Sequence, residues 1–101
     1  MPVLRRQLEN PLRDRVCHDA RLLGVRSLQL DLRHDAGWPD RIFLTPYIPL
    51  WLEFKRPGEV PRPLQQNRLD ILNSLSYNAG FVDSYSDAME LIETALTRKR
   101  R

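Results

Sequence analysis

Apolar residues recur at helical spacing at Leu12, Val16, Ala20 and Leu23, so one face of a first helix is expected to be buried. Asn10-Pro11 reads as an N-cap followed by proline in the first turn, and Gly24 as the C-terminal stop. The period then changes to two. Leu28, Leu30 and Leu32 alternate with Gln29, Asp31 and Arg33, which predicts a half-buried strand over residues 25–33. A loop at 34–37 leads to a second strand over 41–45. Pro46 and Pro49 exclude a central strand between them, so 46–49 is a turn and 50–55 a third strand, paired with the second as a hairpin. Pro57, Gly58 and Pro61 break the chain again. Pro63 opens a helix expected to run to about Asn78 and stop at Gly80. Residues 81–85 form a short fourth strand, and Ser86 caps a last helix with Met89, Ile92 and Leu96 facing inward.

The expected order is α-β-β-β-α-β-α. A hairpin-linked trio followed by a helical crossover implies an α/β fold with a mixed four-stranded sheet flanked by helices. At 101 residues the chain is read as one domain, 1–101, ending in a basic tail at 97–101. An apolar content of 42% is enough for a modest core, and no run approaches the ~18 apolar residues of a membrane span. The N-terminal residues carry no apolar signal core, so a cytoplasmic location is expected. The single cysteine, Cys17, excludes an internal disulfide, and with His18 and His34 it makes no metal-ligand pattern. The net charge of +3 permits a polyanionic partner without demanding one.

Charges inside the hairpin change this picture. On the third strand Leu50, Leu52 and Phe54 share one face, and Trp51, Glu53 and Lys55 the other. Glu53 and Lys55 therefore lie side by side, roughly 7 Å apart along the backbone. Asp40 enters the second strand where the third one ends, so the hairpin can bring it beside both. Two converging carboxylates raise each other's pKa, and a hard divalent cation such as magnesium removes that penalty. A lysine beside such an ion suits metal-assisted phosphodiester hydrolysis. The same E-x-K taken alone also describes an exposed ion pair of little energetic weight.

The longer string Gly37-Trp38-Pro39-Asp40-Arg41, then Leu52-Glu53-Phe54-Lys55-Arg56-Pro57-Gly58, then Arg62-Pro63-Leu64-Gln65 resembles the VRR-NUC branch of the PD-(D/E)XK nuclease superfamily, from about Glu9 to Ile92. The resemblance implies a restriction-endonuclease-like α-β-β-β-α-β core, here with an added C-terminal helix. It implies Asp40 and Glu53 as metal ligands, helped by the backbone carbonyl of Phe54, with Lys55 as the catalytic lysine and Gln65 beside the site. Glu9 matches the family's acidic residue on the first helix and would be a further ligand. It falls in line with Leu12, Val16 and Ala20 if that helix reaches back past Pro11, and outside it if Pro11 begins the helix. Asp14 is the substitute. Arg41, Arg56, Arg62 and Arg68 are candidates for binding backbone phosphates, and each is also an ordinary surface charge.

The activity implied is a Mg²⁺-dependent DNA endonuclease, with Mn²⁺ as a substitute, selective for branched DNA such as four-way junctions or forks. A phage or bacterial setting and a homodimer go with it. The apolar turn Tyr47-Ile48-Pro49-Leu50 is the candidate patch for a dimer contact. The alternative is a non-catalytic nucleic-acid-binding or assembly module that retains the fold.

Overall fold

The computed structural model describes residues 10–31 and 34–97. Its elements run α1 (Pro11–Leu22), β1 (Arg26–Gln29), β2 (Arg41–Leu44), β3 (Leu50–Phe54), α2 (Pro63–Ser74), β4 (Asn78–Val82) and α3 (Tyr85–Thr97). The order is the α-β-β-β-α-β-α expected. The sheet is mixed, in the order β1-β2-β3-β4: β1/β2 and β2/β3 pair antiparallel, and β3/β4 pair parallel across the α2 connection. Thr45 Oγ1 donates to the Ile48 carbonyl at 2.7 Å, which closes the β2–β3 turn.

The core lies on the Leu50–Leu52–Phe54 face. Val16 and Ala20 of α1, Phe43 of β2, Val82 of β4, and Ala88 and Ile92 of α3 pack there. Met89 and Leu96 border this cluster, as their helical phase requires. Leu50 belongs to the core, so only the Tyr47 end of the apolar turn is exposed. On the opposite face α2 buries Leu69 and Leu72 and packs mainly against β4.

The helix ends correct two expectations. At the end of α1, Gly24 has φ +87°, with Gly24 N–H donating to the Arg21 carbonyl and Val25 N–H to the Ala20 carbonyl, both at 2.9 Å. That is a Schellman motif, with Val25 and Ala20 both buried. The second long helix ends in the same motif six residues before Gly80. Ser76 has φ +69°, Ser76 N–H donates to the Asn73 carbonyl and Tyr77 N–H to the Leu72 carbonyl, both at 3.1 Å. No glycine announces this stop, so the helix is shorter than expected and β4 begins at Asn78, with Gly80 inside the strand opposite Leu52. Ser76→Gly is expected to stabilise the protein by about 1 kcal/mol, because glycine meets no Cβ penalty in the left-handed region; equilibrium denaturation measures it. The last helix starts earlier than expected too. Ser84, not Ser86, is its cap, with Oγ accepting from Asp87 N–H at 3.2 Å.

The first strand is also shorter than its alternation suggested. Leu28 is 51% exposed. β1 is an edge strand, and Leu28 pairs with Ile42 on the face opposite the main core, where α2 sits over β4 rather than β1. Alternation identified the strand but not which face the helices cover.

Candidate active site

Asp40 and Glu53 come together through the register of the hairpin. Arg41 pairs with Leu52, so one further step along the ladder sets Asp40 opposite Glu53, on the same face. The Asp40 backbone is pinned from the other side as well, its carbonyl accepting Leu30 N–H at 3.1 Å. Its side chain turns to the end of β3, where Oδ2 accepts the Phe54 N–H at 2.9 Å. Lys55 N–H donates in turn to the Val82 carbonyl at 2.8 Å, which anchors the lysine to β4.

Glu53 is 5% exposed, a carboxylate inside the protein. Its Oε2 accepts from Gln65 Nε2 at 3.1 Å and lies 3.6 Å from Lys55 Nζ. Gln65, at the third position of α2, also accepts Arg62 N–H on its Oε1 at 2.9 Å. Its amide thus has one orientation, because the oxygen is occupied by the helix start and the nitrogen by Glu53. Pro63 and Gln65 together explain why the helix begins where it does and why that start faces the site.

The electrostatics follow from burial. Desolvation, then the Asp40 charge, push the Glu53 carboxyl up to about 7, against the opposing pull of Lys55. Burial raises Asp40 too, opposed by the Phe54 amide and then by the charges of Arg13, Lys55 and Arg41. Two carboxylates that resist joint ionisation, Glu53 buried and Asp40 half-buried, match the preference of a small hard dication for oxygen ligands. Among the described residues no cluster of three or more acidic, histidine or cysteine side chains forms a metal cage. Glu9, named from the sequence as a further ligand, lies outside the described residues. Asp14 is exposed and pairs with Arg13.

The other predicted residues fall in different places. Arg56 is exposed in the loop after β3, its N–H donating to Glu59 Oε1 at 2.9 Å, and Arg62 is exposed at the start of α2. Arg41 points to the α1 side of the sheet, its guanidinium 3.4 Å from Ser27 Oγ. Arg68 is engaged inside the chain. It donates to the Ala36 carbonyl at 3.2 Å and to Asp35 at 3.1 Å, and its guanidinium lies 5.0 Å from the Trp38 ring centroid. It binds the 34–38 loop, which leads into Asp40, to α2. Gly37 completes that contact. With φ +93° and an added Cβ only 2.7 Å from Leu64 Cγ, it is the residue that lets the loop lie on the helix. Trp51, on the Glu53 face, packs edge-on against Tyr77 at 5.9 Å.

Sequence reasoning missed Arg13. It is buried on α1, and its charge reaches Asp40. The signal was present: residues 13, 16 and 20 lie on one helical stripe, so a basic residue occupied a position due to be buried. Beside Lys55, the N-terminal ends of α1 and α3 and the loop after β3 enclose an open cleft of about 650 Å³.

No family model and no curated protein matches the chain by sequence. Solved structures do match it by shape. One described as "VRR_NUC domain" superposes with a TM-score of 0.73 at 21% identity, over 81% of this chain and 90% of the other. A second, "VRR_NUC domain protein", gives 0.60 at 21% identity over 69% of this chain and 66% of the other. With its mixed sheet, its helix order and the Asp40–Glu53 hairpin, the chain has the fold of VRR_NUC domain proteins.

Proposed function

We propose that the chain is a divalent-metal-dependent nuclease that hydrolyses phosphodiester bonds of DNA. The observation that carries this reading is the buried Glu53 carboxylate, set opposite Asp40 in the hairpin and 3.6 Å from the Lys55 ammonium. Asp40, Glu53 and the Phe54 carbonyl would hold Mg²⁺, or Mn²⁺ in its place, with Glu9 as a further ligand. A bound ion of this kind supplies a more acidic water and a polarised phosphoryl oxygen.

The chain's own groups do the rest. Lys55, 11% exposed at its side chain, places a protonated amine where negative charge develops on the phosphate. Gln65 fixes the orientation of Glu53 through Oε2 and so keeps the other carboxylate oxygen toward the site. Arg56 and Arg62, exposed on either side of the loop after β3, bind backbone phosphates without reading sequence. Arg41 adds positive charge from the far side of β2. Arg68 acts through the loop it holds, as a positioning residue for Asp40.

The sequence resemblance to VRR-NUC nucleases extends the proposal to branched DNA, four-way junctions or forks, cut by a homodimer that presents two sites across one junction. Among the described residues no helix is long and apolar enough to cross a membrane. A bacterial or phage-infected cytoplasm is the setting that goes with the nuclease reading.

The test is cleavage of labelled linear, flap and four-way DNA with Mg²⁺, Mn²⁺ or EDTA. Lys55→Ala is expected to fold, bind DNA and lose about 100-fold or more of the cleavage rate. Cutting that survives EDTA or this substitution removes the mechanism. Salt-sensitive DNA binding with no metal uptake and no cleavage of any substrate assigns the fold instead to a binding module.

A further inference from the structure

We propose that a pocket between α1 and the β1–β2 edge, on the opposite side of β2 from Asp40, binds a phosphate group of the nucleic-acid backbone. The identification of that phosphate as nucleic acid rests on the nuclease reading; the pocket itself does not. It has a volume of about 460 Å³ and is lined by His18 and Arg21 of α1, Arg26 and Ser27 of β1, and Arg41 of β2. Ser27 and Arg41 face α1 in the strand register while Arg26, one step from Ser27, leaves β1 on the other face, so the α1 side of the cavity offers Arg21, Arg41, His18 and the Ser27 hydroxyl; among the described residues no acidic side chain lines it. Nearby Asp19 is occupied by Tyr85 and His18.

Arg41 supplies the pointed observation. Its Nε is buried without an acceptor, while NH1 reaches Ser27 Oγ at 3.4 Å. A buried guanidinium N–H left without an acceptor is disfavoured, so the Arg41 side chain gains by turning its planar fork toward a phosphate oxygen in the cavity. Strand geometry explains why Arg41 is here and not at the metal site. It follows Asp40 directly, so the two side chains leave β2 on opposite faces, Arg41 beside Leu52 and Ser27 beside Phe43 on the α1 side. The Arg41 charge still reaches Asp40. A phosphate held here would therefore fix the DNA at the β1 edge while a bond is cut at the other face, with the strand path turning around that edge.

The experiment is an amide NMR titration of the full chain with inorganic phosphate, ionic strength held constant with chloride. Saturable shifts are expected at Ser27, Arg26 and Arg41, with no metal present. Arg21→Gln, an exposed substitution on α1 that leaves the core untouched, is expected to weaken phosphate binding about tenfold, the loss of one charge-assisted hydrogen bond. Arg41→Gln is expected to do the same or more. In a second arm, Lys55→Ala protein with and without Arg41→Gln is titrated with a DNA duplex at several salt concentrations. The slope of log K against log salt is expected to fall by about one. Phosphate binding with an unchanged slope would overturn the backbone assignment and leave a pocket for a free phosphate group. Phosphate shifts absent, or unaltered by both substitutions, would overturn the site itself, whatever the cleavage assays give.

Discussion

Glu53→Gln is expected to make the metal-free protein more stable at about pH 8 while eliminating DNA cleavage. The Glu53 carboxyl is raised from its ordinary 4.5 to about 7, chiefly by burial and then by Asp40. The folded state therefore holds its proton more tightly than the unfolded chain does. Between those two values the folded protein binds more protons, so stability falls as pH rises, and the loss is complete above about 7. At ~1.4 kcal/mol for each pKa unit, that loss is on the order of 3 kcal/mol. Glutamine carries no charge, keeps an oxygen for Gln65 to donate to, and removes the Glu53 part of the slope. Since ~1 kcal/mol moves the melting temperature of a domain this size by about 4–8 °C, thermal melts at about pH 5 and pH 8 will resolve it. The wild type is expected to melt higher at the lower pH and to regain stability at the higher pH on addition of Mg²⁺; the variant, left with the Asp40 contribution alone, should do both much less. A variant that melts below the wild type at about pH 8 would mean that the contacts of Glu53 with Gln65 and Lys55 outweigh its burial. Loss of cleavage of about 100-fold or more is the accompanying kinetic result.

The second large effect is expected at Gly37, which touches none of the proposed ligands. Gly37→Ala puts a Cβ at φ +93° and 2.7 Å from Leu64 Cγ. The left-handed backbone alone costs about 1–2 kcal/mol, and the close approach forces Leu64 or the loop to shift. The loop has little freedom to give, because Arg68 ties Ala36 and Asp35 to α2. Denaturation should show a loss of about 1–3 kcal/mol. Cleavage should fall further than stability explains, since the displaced loop leads directly to Asp40. Arg68→Lys keeps the charge but not the planar fork, and should reproduce part of that loss. Full activity in a folded Gly37→Ala protein would show that Asp40 is positioned by the hairpin alone.

These two sites differ in how far they were legible. Asp40, Glu53 and Lys55 were readable because strand alternation and hairpin closure are local rules. Pro39 before one strand and the two-residue step from Glu53 to Lys55 placed them on one face, and the register agrees. The helix stop at Ser76 was not readable, because a serine in the left-handed region carries no compositional mark, and Gly80 looked like the stronger signal. Arg68 read as either a phosphate candidate or a surface charge, because nothing local marks a guanidinium that also reaches 32 residues back to Ala36. Arg13 was hidden for the opposite reason: its place on the buried stripe was readable, but its approach to Asp40 depends on how α1 lies on the sheet.

By itself the sequence determined the order of elements, the core faces of β3 and α3, the Val16–Ala20 stripe of α1 though not its end at Leu23, which is exposed, and the meeting of two acids with a lysine at one end of a hairpin. Each follows from periodicity, from proline, or from pairing between neighbouring strands, which act over a few residues or across one turn. Tertiary structure alone decided the burial that lifts Glu53 to about 7, the fastening of the Asp40 loop by Arg68, and the gathering of Arg21 and Arg41 around one cavity. Those depend on which face each helix covers and how closely. Desolvation and guanidinium contacts are set by distance in space, and separation along the chain does not encode it.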